Sequence, residues 1–177
     1  MLTNVNWGGV NWKPYKLIDL FEFTKGNQNN MSSLSDGDIP LVSARKCNNG
    51  YKSFISANGK SLFDGGIISL NLDGDGGAGI AYYQPATMAL DCHVGALHPK
   101  IQMNRYQQIF IAMCLTNQGS MFGHGYSINN NRIRSIKIML PVDENNKINW
   151  DFIDRYMRDI ESNQIITYLR HIRHDAS

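Results

Sequence analysis

The residues best suited to chemistry fall into three groups: the aspartate and glycine run Asp73–Gly79, the trio Cys92, His93 and His98, and several polar loops. Asp73, Asp75 and His93, with His98, suit a metal-dependent nuclease or other hydrolase in which Asp73 holds magnesium. That reaction calls for further carboxylates and a nearby lysine, and the following GGAGIAYYQ supplies neither. A calcium loop counted from Asp73 fails too, because its sixth position is Ala78 rather than Gly and its twelfth is Gln84 rather than a bidentate Glu. Gly74 to Gly79 reads GDGGAG, the glycine spacing of a dinucleotide site, but that site needs a helix to open at the glycines. Here Ile80 to Gln84 is β-type and Pro85 closes the run, so a tight turn between strands is the better account. Cys92 and His93 are expected to alternate across a strand, which puts them on opposite faces and spoils a local chelate. Cys47, Cys92 and Cys114 lack CxxC spacing, which suits neither a disulfide framework nor a four-thiolate zinc site. The sequence also lacks the Pro-Pro loop of an adenine methyltransferase. These observations lead us to expect no catalytic motif, no metal and no cofactor belonging to the chain itself.

The polar loops carry the groups that read DNA: Arg bonds bidentately to guanine, Asn and Gln to adenine, and Lys to phosphate. Arg45, Lys46, Asn48 and Asn49 lie together between two strand-like runs, with Ser43 just before them. Tyr82, Tyr83 and Gln84 follow the glycine turn, while His124, Tyr126, Asn130, Arg132 and Arg134 lie in and after a later loop. Lys25 completes the candidate DNA-binding set.

The elements that must position these residues are mostly strands. A short helix at Lys16–Leu20 is expected to enter a strand, and Thr24–Asp38, dominated by Gly, Asn, Ser and Asp, reads as an exposed loop. IPLVSA, GYKSFI, IISLNL, GIAYYQ and CHVGAL read as strands. Asn104–Thr116 is a helix with Tyr106, Ile109, Phe110, Met113 and Cys114 on one stripe, and RIRSIKIML is a strand ending at Pro141. Asn149 caps a long helix reaching Arg173, with Asp151 and Asp154 near its positive end and basic residues near its negative end. Its apolar residues Ile153, Tyr156, Met157, Ile160, Ile165, Leu169 and Ile172 form a near-heptad seam suited to a partner.

Hydrophobic residues make up 42% and charged residues 18% of the 177, the balance of a soluble globular domain. A net charge of +2 permits nucleic-acid binding without requiring it. No run approaches the roughly 20 apolar residues of a membrane span, and the opening MLTNVNWGGVNW lacks the order of a signal peptide, which suggests the cytoplasm.

The order of segments resembles the target-recognition domain of type I restriction-modification specificity subunits. The matching pieces are WKPYKLIDLFEFTKG, DGDIPLVSARKCNNGYKSFI, LFDGGIISLNLDGDGGAGIAYYQPATMALDCHVGAL, IFIAMCL, RIRSIKIMLPV and KINWDFIDRYMRDIE. The resemblance implies an α+β fold: a mixed, mostly β recognition domain over 1–147 and a C-terminal spacer or dimerisation helix over 148–177. It implies recognition of double-stranded DNA, with S-adenosylmethionine and methylation supplied by a separate modification subunit and cleavage by a restriction subunit. Full subunits carry two recognition domains and two spacer helices, so this chain is expected to act as a homodimer or beside a second half-subunit.

Overall fold

Apolar runs too short for helices, punctuated by glycine and asparagine, fold into two sheets in the larger part of the molecule. The computed structural model describes residues 9–73, 77–118 and 127–175. Two compact units are present: Tyr15–Ile138, and a second containing the described residues of Met1–Pro14 and Met139–Ser177.

In the larger unit the short helix α1 (Leu17–Leu20) runs directly into strand β2 (Phe21–Lys25), as the change of hydrophobic spacing predicts. β2 begins one antiparallel sheet of order β2-β8-β5-β6, completed by β8 (Val94–Pro99), β5 (Ile67–Asn71) and β6 (Ala81–Gln84). Every residue of the central β5 is buried, including Ser69 and Asn71, which must therefore find hydrogen-bond partners inside. A second sheet, β4-β3-β7, joins β3 (Asp36–Val42) antiparallel to β4 (Tyr51–Ile55) and parallel to the two-residue β7 (Ala89–Leu90). Val42, Phe63, Ile67, Met88, Leu90, Val94 and Ala96 form a shared core drawing on both sheets.

Helix α2 (Arg105–Asn117) is opened by a capping box: Asn104 Oδ1 accepts from Gln107 N, and Gln107 Oε1 accepts from Asn104 N, each at 3.0 Å. It packs on β6 and β5. Its buried face is Tyr106, Phe110, Ile111, Ala112 and Leu115, whereas Met113, expected on the inner stripe, is 41% exposed. Apolar residues occur all round this helix, so apolarity alone does not select the inward face.

Three further expectations are corrected. The stretch Thr24–Asp38 is not uniformly exposed, because it contains the end of β2 and the start of β3, and Gln28 within it is wholly buried. The expected strand RIRSIKIML begins late: Asn129 caps a single helical turn, α3 (Asn130–Ile133), through bonds from the N–H groups of Asn131 and Arg132. Finally, Cys92 and His93 lie in a turn before β8 rather than on a strand, so side-chain alternation does not separate them.

Strand β1 (Asn11–Lys16), which sequence periodicity does not reveal, pairs with β9 (Lys137–Val142) as a two-stranded ribbon, of which Asn11–Pro14 and Met139–Val142 fall in the smaller unit. A tight turn follows, in which Asp143 Oδ1 accepts from the N–H groups of Asn145 and Lys147, both at 2.9 Å. Asn149 Oδ1 then accepts from Phe152 N at 3.0 Å and caps α4 (Trp150–Asp175), as expected. Ile153 and Met157 on this helix are buried; Ile165, Leu169 and Ile172 are 53%, 50% and 44% exposed.

One glycine shows how closely the larger unit is packed. A Cβ on Gly26 would overlap the carbonyl oxygen of Asp91, a backbone atom that cannot swing aside. Gly26→Ala is therefore expected to lower stability by about 1 to 3 kcal/mol, read as a reduced denaturant midpoint with an unchanged slope.

Candidate nucleic-acid interface

Consecutive residues at the end of β5 collect the polar segments. Asn71 Nδ2 donates to Arg45 O at 3.0 Å, Leu72 N donates to His93 O at 2.9 Å, and Ile128 N donates to Leu72 O at 2.6 Å. The loop after β3, the turn before β8 and the segment leading to α3 are thus tied to one end of one sheet. Lys25 approaches the same end of that sheet, since its register partner is Gly95 in β8.

The loop after β3 has the most defined geometry. Ser43 N donates to Gly50 O at 2.9 Å and closes it. Asn48, Asn49 and Gly50 follow one another in the left-handed region, at φ 52°, 53° and 78°, a backbone that Asn and Gly tolerate best. Arg45 O accepts from Asn71 Nδ2 and from Tyr82 Oη at 3.3 Å, while Arg45 Nη1 donates to Tyr51 O at 3.2 Å. Asn49 Nδ2 donates to Tyr83 O at 3.2 Å and Gln84 Oε1 at 3.3 Å; Gln84 Nε2 donates to Asn49 O at 2.9 Å and Ser69 Oγ at 2.8 Å. Lys46, Cys47 and Asn48 are left exposed at the tip. Burial raises the Tyr82 hydroxyl pKa, with Cys47 adding to the shift, so this phenol stays a neutral donor.

The structure therefore brings Arg45, Lys46, Asn48, Asn49, Tyr82, Tyr83 and Gln84 together, but in two layers. Gln84 is wholly buried and Ser43 is 5% exposed, so both lie beneath the loop. Asn130 and Arg134 are exposed at α3, and Arg132 Nη1 donates to Ser127 O at 2.6 Å. His124 and Tyr126 lie outside the described residues. Sequence reasoning missed Asn71, Ser69 and Tyr51; the available signal was two polar side chains inside the otherwise apolar IISLNL.

The second cluster sits in the turn before β8, where Asp91, Cys92 and His93 bring their potential metal-ligating atoms within 4.8 Å of one another. Local bonds already use these groups: Asp91 Oδ1 accepts from His93 N at 3.0 Å, and His93 Nδ1 lies 2.7 Å from Asp73 Oδ1. Burial, then a hydrogen bond to Asp91 and its charge, raise the Cys92 thiol pKa, while Lys25 partly offsets the shift. The cluster thus has the character of a braced turn with a protonated thiol. Asp75, the second aspartate of the hydrolase alternative, lies outside the described residues.

A strand-dominated α+β fold followed by a long C-terminal helix is similar to the folds of three solved structures. These are a type I restriction-modification S subunit from M. genitalium (TM-score 0.56, 14% identity, 91% of this chain and 44% of that one), the HsdS subunit from Thermoanaerobacter tengcongensis (0.59, 14%, 86% and 38%), and a chain from a structure of type I R-M complex assembly (0.63, 16%, 93% and 41%). In sequence, the chain is 25% identical over 154 residues to the specificity subunit S.BcgI of a type II restriction enzyme from Heyndrickxia coagulans. That alignment covers 86% of this chain and 44% of the relative, so the chain spans less than half of the curated protein it matches. Residues 9–170 match the family of the type I restriction modification DNA specificity domain, and the chain belongs to that family. Membership in a specificity family favours recognition over the hydrolase built on Asp73, Asp75 and His93.

The three thiols differ enough to test the local environments. Cys47 is exposed, Cys92 is half-buried with a raised pKa, and burial pushes Cys114 up to about 11. Because the thiolate is the reactive form, alkylation at pH 8 should label Cys47 first, Cys92 more slowly and Cys114 last, as read by mass spectrometry of peptides. The stability from keeping Cys114 neutral is complete below its ordinary pKa of 9.0 and should be lost as pH rises through about 11.

Proposed function

We propose that the chain recognises a specific sequence in double-stranded DNA as the specificity component of a restriction-modification system, leaving catalysis to separate subunits. The observation that carries this reading is the family match over 9–170, and the outward loops at one sheet end suit it. Arg45, Lys46, Asn48, Tyr83, Asn130, Arg132 and Arg134 supply donors matched to base edges and phosphates, and Lys25 adds positive charge. A modification subunit holds S-adenosylmethionine and methylates; a restriction subunit cleaves. The site of action is the cytoplasm. Among the described residues no helix is long and apolar enough to cross a membrane.

The second half of α4 fits this assembly. Over its 26 residues, about 39 Å long at 1.5 Å per residue, the seam passes from buried Ile153 and Met157 to exposed Ile165, Leu169 and Ile172. A seam uncovered in one chain and spaced for a helical neighbour favours a homodimer or a second half-subunit. Replacing Ile165, Leu169 and Ile172 together by Ser should bring the mass in light scattering down to a single chain while leaving the denaturant slope of the recognition domain unchanged.

Selection from a pool of random duplexes, at moderate salt and with the modification subunit present, tests the DNA reading directly. Recovery of one enriched motif is expected; a pool that stays random would remove the reading. On the selected duplex, Arg45→Ala should cost about 1 to 3 kcal/mol and relax one base pair. Lys46→Ala should weaken all duplexes alike and lower the salt slope by about 1.

A further inference from the structure

We infer that Asn71, Tyr82 and Gln84 set sequence discrimination without touching DNA, by clamping the main chain of the Arg45–Asn49 loop from beneath. This rests on the DNA-recognition reading above and assigns Tyr82 and Gln84 a role other than base contact.

The geometry has three parts. First, the clamp grips peptide groups as well as side chains: Arg45 O takes both Asn71 Nδ2 and Tyr82 Oη, and Asn49 O takes Gln84 Nε2. A loop held at its carbonyls is held through bonds that do not depend on the side chains of Lys46 and Cys47 at its tip. Second, the Gln84 half of the clamp is satisfied by its own bonds. Gln84 uses Oε1 on Asn49 Nδ2 and Nε2 on Asn49 O and Ser69 Oγ, and Ser69 Oγ also donates to Tyr82 O at 3.3 Å. A buried network in which these polar atoms are paired specifies one arrangement, because each alternative leaves a buried donor or acceptor unmade. Third, the clamp stands on rigid ground. Asn71 and Gln84 are wholly buried in β5 and β6, and the edge strand β6 is held from its other side by α2, where Thr116 Oγ1 accepts from Ala81 N at 3.0 Å.

The loop needs such a device. Three successive left-handed residues are a backbone that free peptides populate sparsely, even for Asn and Gly. Without the clamp the tip would sample other conformations, and Lys46 and Asn48 would meet several base steps instead of one. Loss of the clamp should therefore lower the preference for the right sequence while leaving phosphate attraction intact, since the latter depends on charge and tolerates displacement.

Two readouts on the full chain test this, with Tyr82→Phe, which keeps the ring and removes only the hydroxyl, and Gln84→Leu. Amide hydrogen exchange across residues 44–51 in the free protein should accelerate about tenfold in Tyr82→Phe, the effect of one lost hydrogen bond, and more in Gln84→Leu, which loses three, with α2 unchanged. The affinity ratio between the duplex enriched from the random pool and a scrambled duplex should fall about tenfold, while scrambled-duplex affinity stays as in the wild type. Asn48→Asp, at the exposed tip and also tolerant of the left-handed backbone, should change the preferred sequence without loosening the loop. If 44–51 exchanges no faster in either variant, the clamp is refuted whatever the chain binds. If the loop loosens and the ratio holds, positioning is refuted. If affinity for both duplexes falls equally, the residues serve only general stability and the inference also fails. A wild-type chain that enriches no duplex removes the DNA reading itself, and the exchange data then report that failure separately from the clamp.

Discussion

The constraint on which the recognition surface depends is that a loop cannot hold side chains at fixed positions until its own peptide groups are satisfied. Between β3 and β4 this is met in part by a short turn of the loop's own, Asn48–Gly50, and in part by the neighbouring sheet. Carbonyls of Arg45 and Asn49 accept from Asn71, Tyr82 and Gln84, and Ser43 and Gly50 close the ring. Burial strengthens each bond and makes its absence costly. The apolar core of Val42, Phe63, Ile67 and Met88 matters to the site because it fixes β3 against β5, and so the loop against its supports.

Much of this architecture was legible in the residues. The change from helical to alternating spacing at Leu20, the strands IISLNL and GIAYYQ, the helix after Asn104 and the capped helix after Asn149 all follow from local pattern and capping chemistry. What escaped depends on partners distant in sequence. β7 is two residues long and exists because Leu41 and Val42 offer it a parallel edge. β1 reads as polar and contains Pro14, and its ladder is completed by β9 from the far end of the chain. α3 is one turn, set by Asn129 rather than by periodicity.

The candidate site was legible in composition but not in depth. The sequence groups Arg45, Lys46, Asn48, Asn49, Tyr82, Tyr83 and Gln84 by chemistry, and the fold brings them together. It does not tell a Gln that faces solvent from one that faces inward, because alternation along β6 assigns faces and both faces of this edge strand are partly covered. The deciding clue was elsewhere: Ser69 and Asn71 interrupt an apolar central strand, and buried polar groups require buried partners. The turn at Cys92 and His93 shows the opposite lesson, since a two-residue offset in the start of β8 changes which side chains meet.

The bonds between Asn49 and Gln84 join positions 35 apart in the chain. Specificity carried by this loop is consequently not a portable cassette. A graft of residues 43–50 into another scaffold would arrive without the strand that shapes it, whereas exchange of the exposed Lys46 and Cys47 alone leaves the left-handed backbone and the framework beneath it intact. Diversification of such a surface is cheapest where the tip varies and the strands beneath stay fixed.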